Sequence, residues 1–485
     1  MEQKLASLSK WIRVGAGVGV VGFIVGDTIW RRFSDPRALA QLSRFFAKMN
    51  FRADGIMLAA ALALIAFLSW RARQFPVHHE RMQTYTRALW IFLCVWALYL
   101  FSAYLMALRW DTPRNKAYFP DLAAAFLQGK AYIEPTGSAS DLTFYDGHWY
   151  VAFPPLASLL MLPQVALGGP EAVNSVRFSV AYGALNVALV YLLAEGLRRR
   201  GLISLSPSGS LWISALFGFG TVHWYMALSG HVWFVSQIVT VTFSLLSAVI
   251  LLESGSLTLA SIALGVGMLA RPNVVFLWPF LMGLYAGIKD IGWINLLCAS
   301  WRTALASMIP LGAAALALLA YNYVRFDNPL EFGYRAMNVG AYLKADLDAY
   351  GQFNLHFLPR NLQTMFLALP HWNAACGFFV PSPMGMSILL TTPALLLLTQ
   401  ARPTSTWSGL AWTSALLLLA PLMLYFNTGS AQFGYRFLMD LIVPLLALLA
   451  LAMKERVTTP VQLLIWLGIL VNYLGVLWFH AGVCQ

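Results

Sequence analysis

Apolar residues in this chain come in long unbroken runs, most of them roughly 16 to 22 residues, about what a helix needs to span ~30 Å of hydrocarbon. Barrel strands that face lipid are ~10 residues long and alternate, and these runs do not. Backbone groups in lipid must also be satisfied within one segment, which favours helices. The pattern predicts an all-α fold, a polytopic transmembrane helical bundle of about 11 to 13 spans. The runs lie at 88–108, 176–196, 211–228, 232–252, 256–271, 274–288, 304–324, 385–400, 408–426, 437–453 and 461–481, with two more at 12–29 and 56–70.

Lys and Arg positions orient the runs, because short cytoplasmic loops carry the excess of positive charge. Arg71, Arg73, Arg81 and Arg87 precede 88–108, and Arg198, Arg199 and Arg200 follow 176–196, so both clusters are expected inside. The run 153–168 is then left without a crossing. It is short, carries Pro154, Pro155 and Pro163, and is expected to lie at the outer interface. Alternation places two long polar segments, 110–152 and 325–384, on the outer face. The chain divides into an N-terminal region, 1–87, and a core, 88–481. The loop between 12–29 and 56–70 is rich in Arg and would face outward, against the rule.

Composition sharpens this picture. Hydrophobic residues make up 59% and charged residues 11%, so a soluble core could not hide the apolar surface. A net charge of +12 would point to nucleic acid in a soluble chain; here it is the positive-inside bias, and no nucleic acid partner is expected. Cys94, Cys298, Cys376 and Cys484 show no CxxC or Cys/His spacing, so neither a metal site nor a disulfide is expected. The stretch Trp11–Trp30 lacks a small-residue cleavage signal and reads as retained chain.

The two outer segments hold nine of the twenty acidic residues, which is where chemistry is expected. Asp111 follows a membrane run by a few residues, residues 118–128 read as a short surface helix carrying Asp121, and Asp141 precedes Tyr145-Asp-Gly-His148-Trp-Tyr150. His148, His223, His231 and His371 are scattered, the usual distribution of structural hydrogen-bonders; among them His148 adjoins the aromatic cluster.

This order, with Tyr118 to Gly129, Tyr132 and Phe153-Pro-Pro-Leu156, resembles the membrane glycosyltransferases of the GT-C class. That class includes protein O-mannosyltransferases and the bacterial aminoarabinose and arabinofuranosyl transferases. Met268-Leu-Ala-Arg271-Pro and Gln432-Phe-Gly-Tyr435-Arg436-Phe437 are also similar to segments of bacterial members. In one place the chain departs from the pattern: Arg114-Asn115 stands where an Asp-Glu pair is often found. The resemblance implies a GT-C-like bundle with outer interfacial helices in a plasma (inner) membrane, its active site on the outer face. It implies a polyprenyl-phosphate sugar donor, an extracytoplasmic acceptor and membrane lipid as partners.

The residues accommodate that chemistry. Asp111 or Asp141 can act as general base on an acceptor hydroxyl, and the sequence does not choose between them. An Arg can hold the leaving phosphate, with Arg436, Arg271 and Arg335 as candidates. Tyr435, Asp121 and His148 are further substrate-binding candidates. No cofactor is called for; a divalent metal is compatible but not indicated. The rival class is a polytopic transporter or lipid flippase, which would show paired repeats and ionisable residues at mid-membrane. A polysaccharide ligase or polymerase using a lipid diphosphate shares the setting.

Overall fold

The computed structural model describes residues 15–24, 26, 67, 79–107, 117–135, 137, 139–375 and 377–481. Asp111 and all of the expected run 56–70 but Phe67 lie outside the described residues, while the run 12–29 contains the apolar helix Gly15–Ile24. Six of the described helices are long and apolar enough to cross a membrane: α1 His79–Ala107, α2 Ser175–Arg199, α3 Val232–Ser254, α4 Trp301–Phe326, α5 Thr406–Met423 and α6 Thr459–Ala481. The chain is thus mostly helical and has the build of a helical membrane protein.

Local signals set the helix ends. The Asn174 side chain accepts hydrogen bonds from Val176 N and Arg177 N at the start of α2, both at 3.0 Å, and Arg198 and Arg199 sit in its last turn against the negative end of the dipole. Ser405 and Ser408 form a capping box for α5. Gly255 ends α3 in the left-handed conformation.

The other apolar runs are cut into shorter pieces. The run 211–228 becomes Pro207–Phe219 and His223–Ala227, 256–271 gives the helix Leu257–Met268, and 274–288 is split between a 3-10 turn Pro272–Leu277 and Trp278–Lys289. Twelve residues of helix rise only about 18 Å, so neither Leu257–Met268 nor Trp278–Lys289 reaches across hydrocarbon by itself. Pro272 and Pro279 fall at the breaks, as expected of residues that start helices but cannot continue them. Leu156–Gly168 is likewise short, contains Pro163, and packs beside the helix Phe119–Leu127.

Two antiparallel hairpins join the helices: β1 Leu142–Tyr145 with β2 His148–Val151, and β3 His371–Asn373 with β4 Phe378–Val380. They were not expected from the apolar runs. The first has a plain local cause, because Asp146 and Gly147 both adopt positive φ, 43° and 77°, as a two-residue type I′ turn requires.

Helix α3 is the centre of the bundle and is buried along nearly all of its length. Polar side chains inside the bundle find partners on other helices. Thr242 donates to Asn186 Oδ1 (2.6 Å), whose Nδ2 donates to Ile238 O (3.0 Å), and Tyr99 Oη donates to Gly218 O (2.5 Å). Helix α4, in contrast, exposes Leu305, Met308, Ile309, Leu316 and Val324, the face of a helix meant for lipid.

Charged groups gather where α1 begins and α2 and α3 end. Arg198 Nη2 donates to Glu80 (3.0 Å) and Glu195 (2.9 Å), Arg199 pairs with Glu253, and Arg200 Nε donates to Leu252 O (2.6 Å). The polar segments 117–155 and 327–384 gather at the opposite end.

Candidate active site

A cavity of ≈ 490 Å³ lies between the two polar segments and the helix ends beneath them. Its walls are largely aromatic, with Phe153, Trp233, Phe332, Phe353, Tyr425 and Phe437 among them. Set among these are a few polar groups: Asp141, Arg271, Asn273, Asn427 and Arg436. Concave, mainly apolar, with a few convergent polar groups is the form of a small-molecule or lipid headgroup site.

Arg271 enters from the start of the 3-10 turn Pro272–Leu277. Its Nη2 and Nε donate to Asp440 Oδ2 at 2.7 and 3.2 Å. Asn273 Nδ2 donates to the same oxygen (3.0 Å), and Gln237 Nε2, on α3, donates to Oδ1 (3.2 Å). The Asp440 carboxylate is therefore fully occupied and its charge cancels that of Arg271.

Arg436 is placed differently. Its Nε donates to Gly429 O (3.0 Å), its Nη1 to Gln237 Oε1 (3.1 Å), and its backbone N to Gln432 Oε1 (2.9 Å). Among the described residues no carboxylate forms an ion pair with it, and Nη2 has no hydrogen-bond partner. Burial, with the Arg271 charge close by, lowers its pKa to about 10. It still carries a full charge at neutral pH. The Phe437 ring lies 4.7 Å from the Arg436 guanidinium carbon and 5.6 Å from that of Arg271, so one ring braces both cations.

Arg271 is matched by Asp440, whereas Arg436 has no carboxylate paired with it among the described residues; the Asp141 carboxylate lines the same cavity. An anion drawn into it satisfies Arg436 Nη2 and relieves the repulsion between the guanidiniums.

Asp141 comes from the first polar segment, at the turn before β1. Its backbone is left-handed (φ 63°), a conformation that costs a non-glycine residue energy and is kept where surroundings enforce it. Here the second polar segment enforces it: Asp141 N donates to Asn338 O and Asn338 N to Leu142 O, both at 2.8 Å, and Thr143 Oγ1 donates to Gly333 O (2.7 Å). The Tyr118 hydroxyl donates to Ser140 O (2.6 Å), and burial together with the Asp141 charge pushes its pKa up to about 12. Below the hairpin, Arg325 at the end of α4 donates to Val151 O (2.7 Å) and is almost wholly buried.

Among the described residues, none of the other sequence candidates lines the cavity. Tyr435 is buried, and its hydroxyl has no hydrogen-bond partner among the described residues. Arg335 is exposed, and its carbonyl accepts from Lys344 Nζ (3.0 Å). Asp121 lies in the first turn of Phe119–Leu127. His148 opens β2 and stacks on Tyr132, centroids 3.9 Å apart. The sequence reading missed Asp440, Gln237 and Asn273, the residues that orient both arginines. Among the described residues no group of three or more His, Cys, Asp or Glu is placed to hold a metal ion.

No family model, curated protein or solved structure matches this chain.

Proposed function

We propose that this protein is a membrane glycosyltransferase moving a sugar from a polyprenyl-phosphate donor to a hydroxyl of an extracytoplasmic acceptor. What carries the reading is that Asp141, Arg271 and Arg436, far apart in sequence, line one cavity, and that Arg436 has no carboxylate paired with it among the described residues. The phosphate of the donor is a monoanion that Arg436 Nη2 can hold, with Arg271 beside it, and the aromatic walls suit a sugar and the first units of a lipid.

In the transfer step the acceptor oxygen bonds to the anomeric carbon as the bond from that carbon to the phosphate oxygen breaks. Attack comes from the face opposite the leaving group, which inverts the centre. The hydroxyl proton passes to the Asp141 carboxylate, and the bonding electron pair leaves with the lipid phosphate, whose charge the arginines stabilise. Among the described residues Asp141 is the base candidate that reaches the cavity.

The same reading puts the cavity on the outer face. Trp233 lines the cavity and Glu253 pairs with Arg199, both on α3, so the two sites stand about 30 Å apart at 1.5 Å per residue, one bilayer core. With the arginine cluster inside, the cavity lies outside. The shorter apolar helices would then complete a GT-C-like bundle of about 11 to 13 spans, with Phe119–Leu127 and Leu156–Gly168 at the outer interface.

Binding of polyprenyl monophosphate tests the site without knowledge of the sugar. Wild-type protein in detergent should bind it, and Arg436→Lys should weaken binding by roughly tenfold or more, because the point charge of Lys does not reproduce the guanidinium fork. Equal affinity in the variant would remove Arg436 from the phosphate site.

A further inference from the structure

Between Arg360 and Arg402 there is no Lys, Arg, Asp or Glu, although alternation of the apolar runs puts the first part of this stretch in a polar segment. The preceding residues are unlike it: Lys344, Asp346, Asp348 and Arg360 are charged and pair with one another across the helix Ala341–Tyr350. The charge-free stretch contains the hairpin β3–β4 and runs on without a break into the apolar 388–400.

One face of the hairpin carries Trp372 and Phe379; the other carries Phe378 beside His371 and Asn373, with Val380 buried. Trp372 and Phe379 face each other across the strands on one side, centroids 5.2 Å apart, and are 57% and 56% exposed. Phe378, on the other side, is 48% exposed, and Leu367 and Leu369, just before β3, are 71% and 68% exposed. A lone two-stranded hairpin is marginal in water, and one that shows aromatics on both faces loses rather than gains from hydration. Its open edges in turn forbid the hydrocarbon centre, where unpaired N–H and C=O groups cannot be met. The depth that suits both is the interface, where backbone edges stay hydrated and Trp and Phe rings enter the lipid.

We infer that β3–β4 is a lipid-anchoring hairpin that seats in the membrane leaflet on the cavity side. Its root is bolted to the loop that carries Arg436. Thr428 Oγ1 and Gln432 Nε2 donate to Met384 O (2.8 and 2.9 Å), Met386 N donates to Gly434 O (3.0 Å), and Gln432 in turn holds the Arg436 backbone. The depth of the hairpin in the lipid is thereby coupled to the position of Arg436. This goes beyond the proposed reaction and holds for any ligand of the cavity.

Spin labels at Trp372→Cys, Phe378→Cys and Phe379→Cys, in a chain with its native cysteines replaced and reconstituted in lipid nanodiscs, test the inference. Collision with oxygen should exceed collision with a water-soluble nickel chelate at all three, with the reverse at Asp348→Cys on the charged helix. Preference for the nickel chelate at 372, 378 and 379 would overturn it. So would protection from both reagents, which would mean that protein covers the hairpin. If the cysteine-free chain does not fold, quenching by brominated lipid gives the same information. The fluorescence lost on Trp372→Phe must then be bromine-quenched, and an unquenched difference overturns the inference. Neither readout depends on sugar transfer.

Discussion

Asp440 is the single charged residue in the run 437–453, and a lone acid in an apolar run is a functional-site signal by default. Sequence reading weighed the acids of the polar segments instead, so it found the arginines and missed the carboxylate that divides their roles. Arg271 and Arg436 were legible because charged residues at the edges of apolar runs stand out. Gln237 was not, since an amide inside α3 differs little in pattern from its hydroxyl-bearing neighbours. The structure makes the role of Asp440 testable. Asp440→Asn removes the carboxylate paired with Arg271, and loss of one partner of a buried pair typically costs about 3 kcal/mol or more. Thermal unfolding in detergent should show a clear drop, partly restored by added polyprenyl phosphate. An unchanged melting temperature would mean that the pair is not needed to hold the arginines.

The elements were legible in proportion to their regularity. Helices α1 to α6 follow from unbroken apolar runs, and their bounds fall within a few residues of those runs except at the start of α1, which begins at His79, ahead of the expected 88. The pieces broken at Pro279 and Pro393 read as single crossings because hydrophobicity continues through the breaks while helix geometry does not. The Asp146-Gly147 turn was a readable hairpin signal that a search for spanning runs passed over. The loop 427–436 could not be read at all, since its shape depends on a contact that only the fold creates. Gly429 has φ 114°, and a Cβ there would meet Gln432 Oε1 at 2.5 Å, the oxygen that accepts from Arg436 N. Gly429→Ala should therefore leave the protein folded but displace Arg436. Misplacement of a reacting group by about 1 Å can cost on the order of 10²-fold in rate. Normal turnover by this variant would show that the loop does not position the cation.

At the scale of the whole molecule, the bundle separates an arginine cluster from an aromatic cavity by about one membrane thickness. Cysteines introduced at Gly137, in the first polar segment, and at Ser204, near the arginine cluster, should differ in labelling by an impermeant reagent in intact cells, with only Gly137→Cys reacting. Labelling of Ser204→Cys alone would invert the protein and place the cavity inside. The overall layout was legible because lipid imposes it on every run at once. That Asp141 reaches the cavity was not, because it depends on how two distant segments pack, and Asn338 bonding to Asp141 and Leu142 has no local signature. The most direct test uses purified protein and a set of synthetic polyprenyl-phosphate sugars, following release of polyprenyl phosphate and transfer of sugar. Wild type should turn over at least one donor. Asp141→Asn, which keeps its shape but cannot take a proton, should bind that donor normally and run slower by on the order of 10² to 10⁴. Turnover by Asp141→Asn at the wild-type rate would contradict the account.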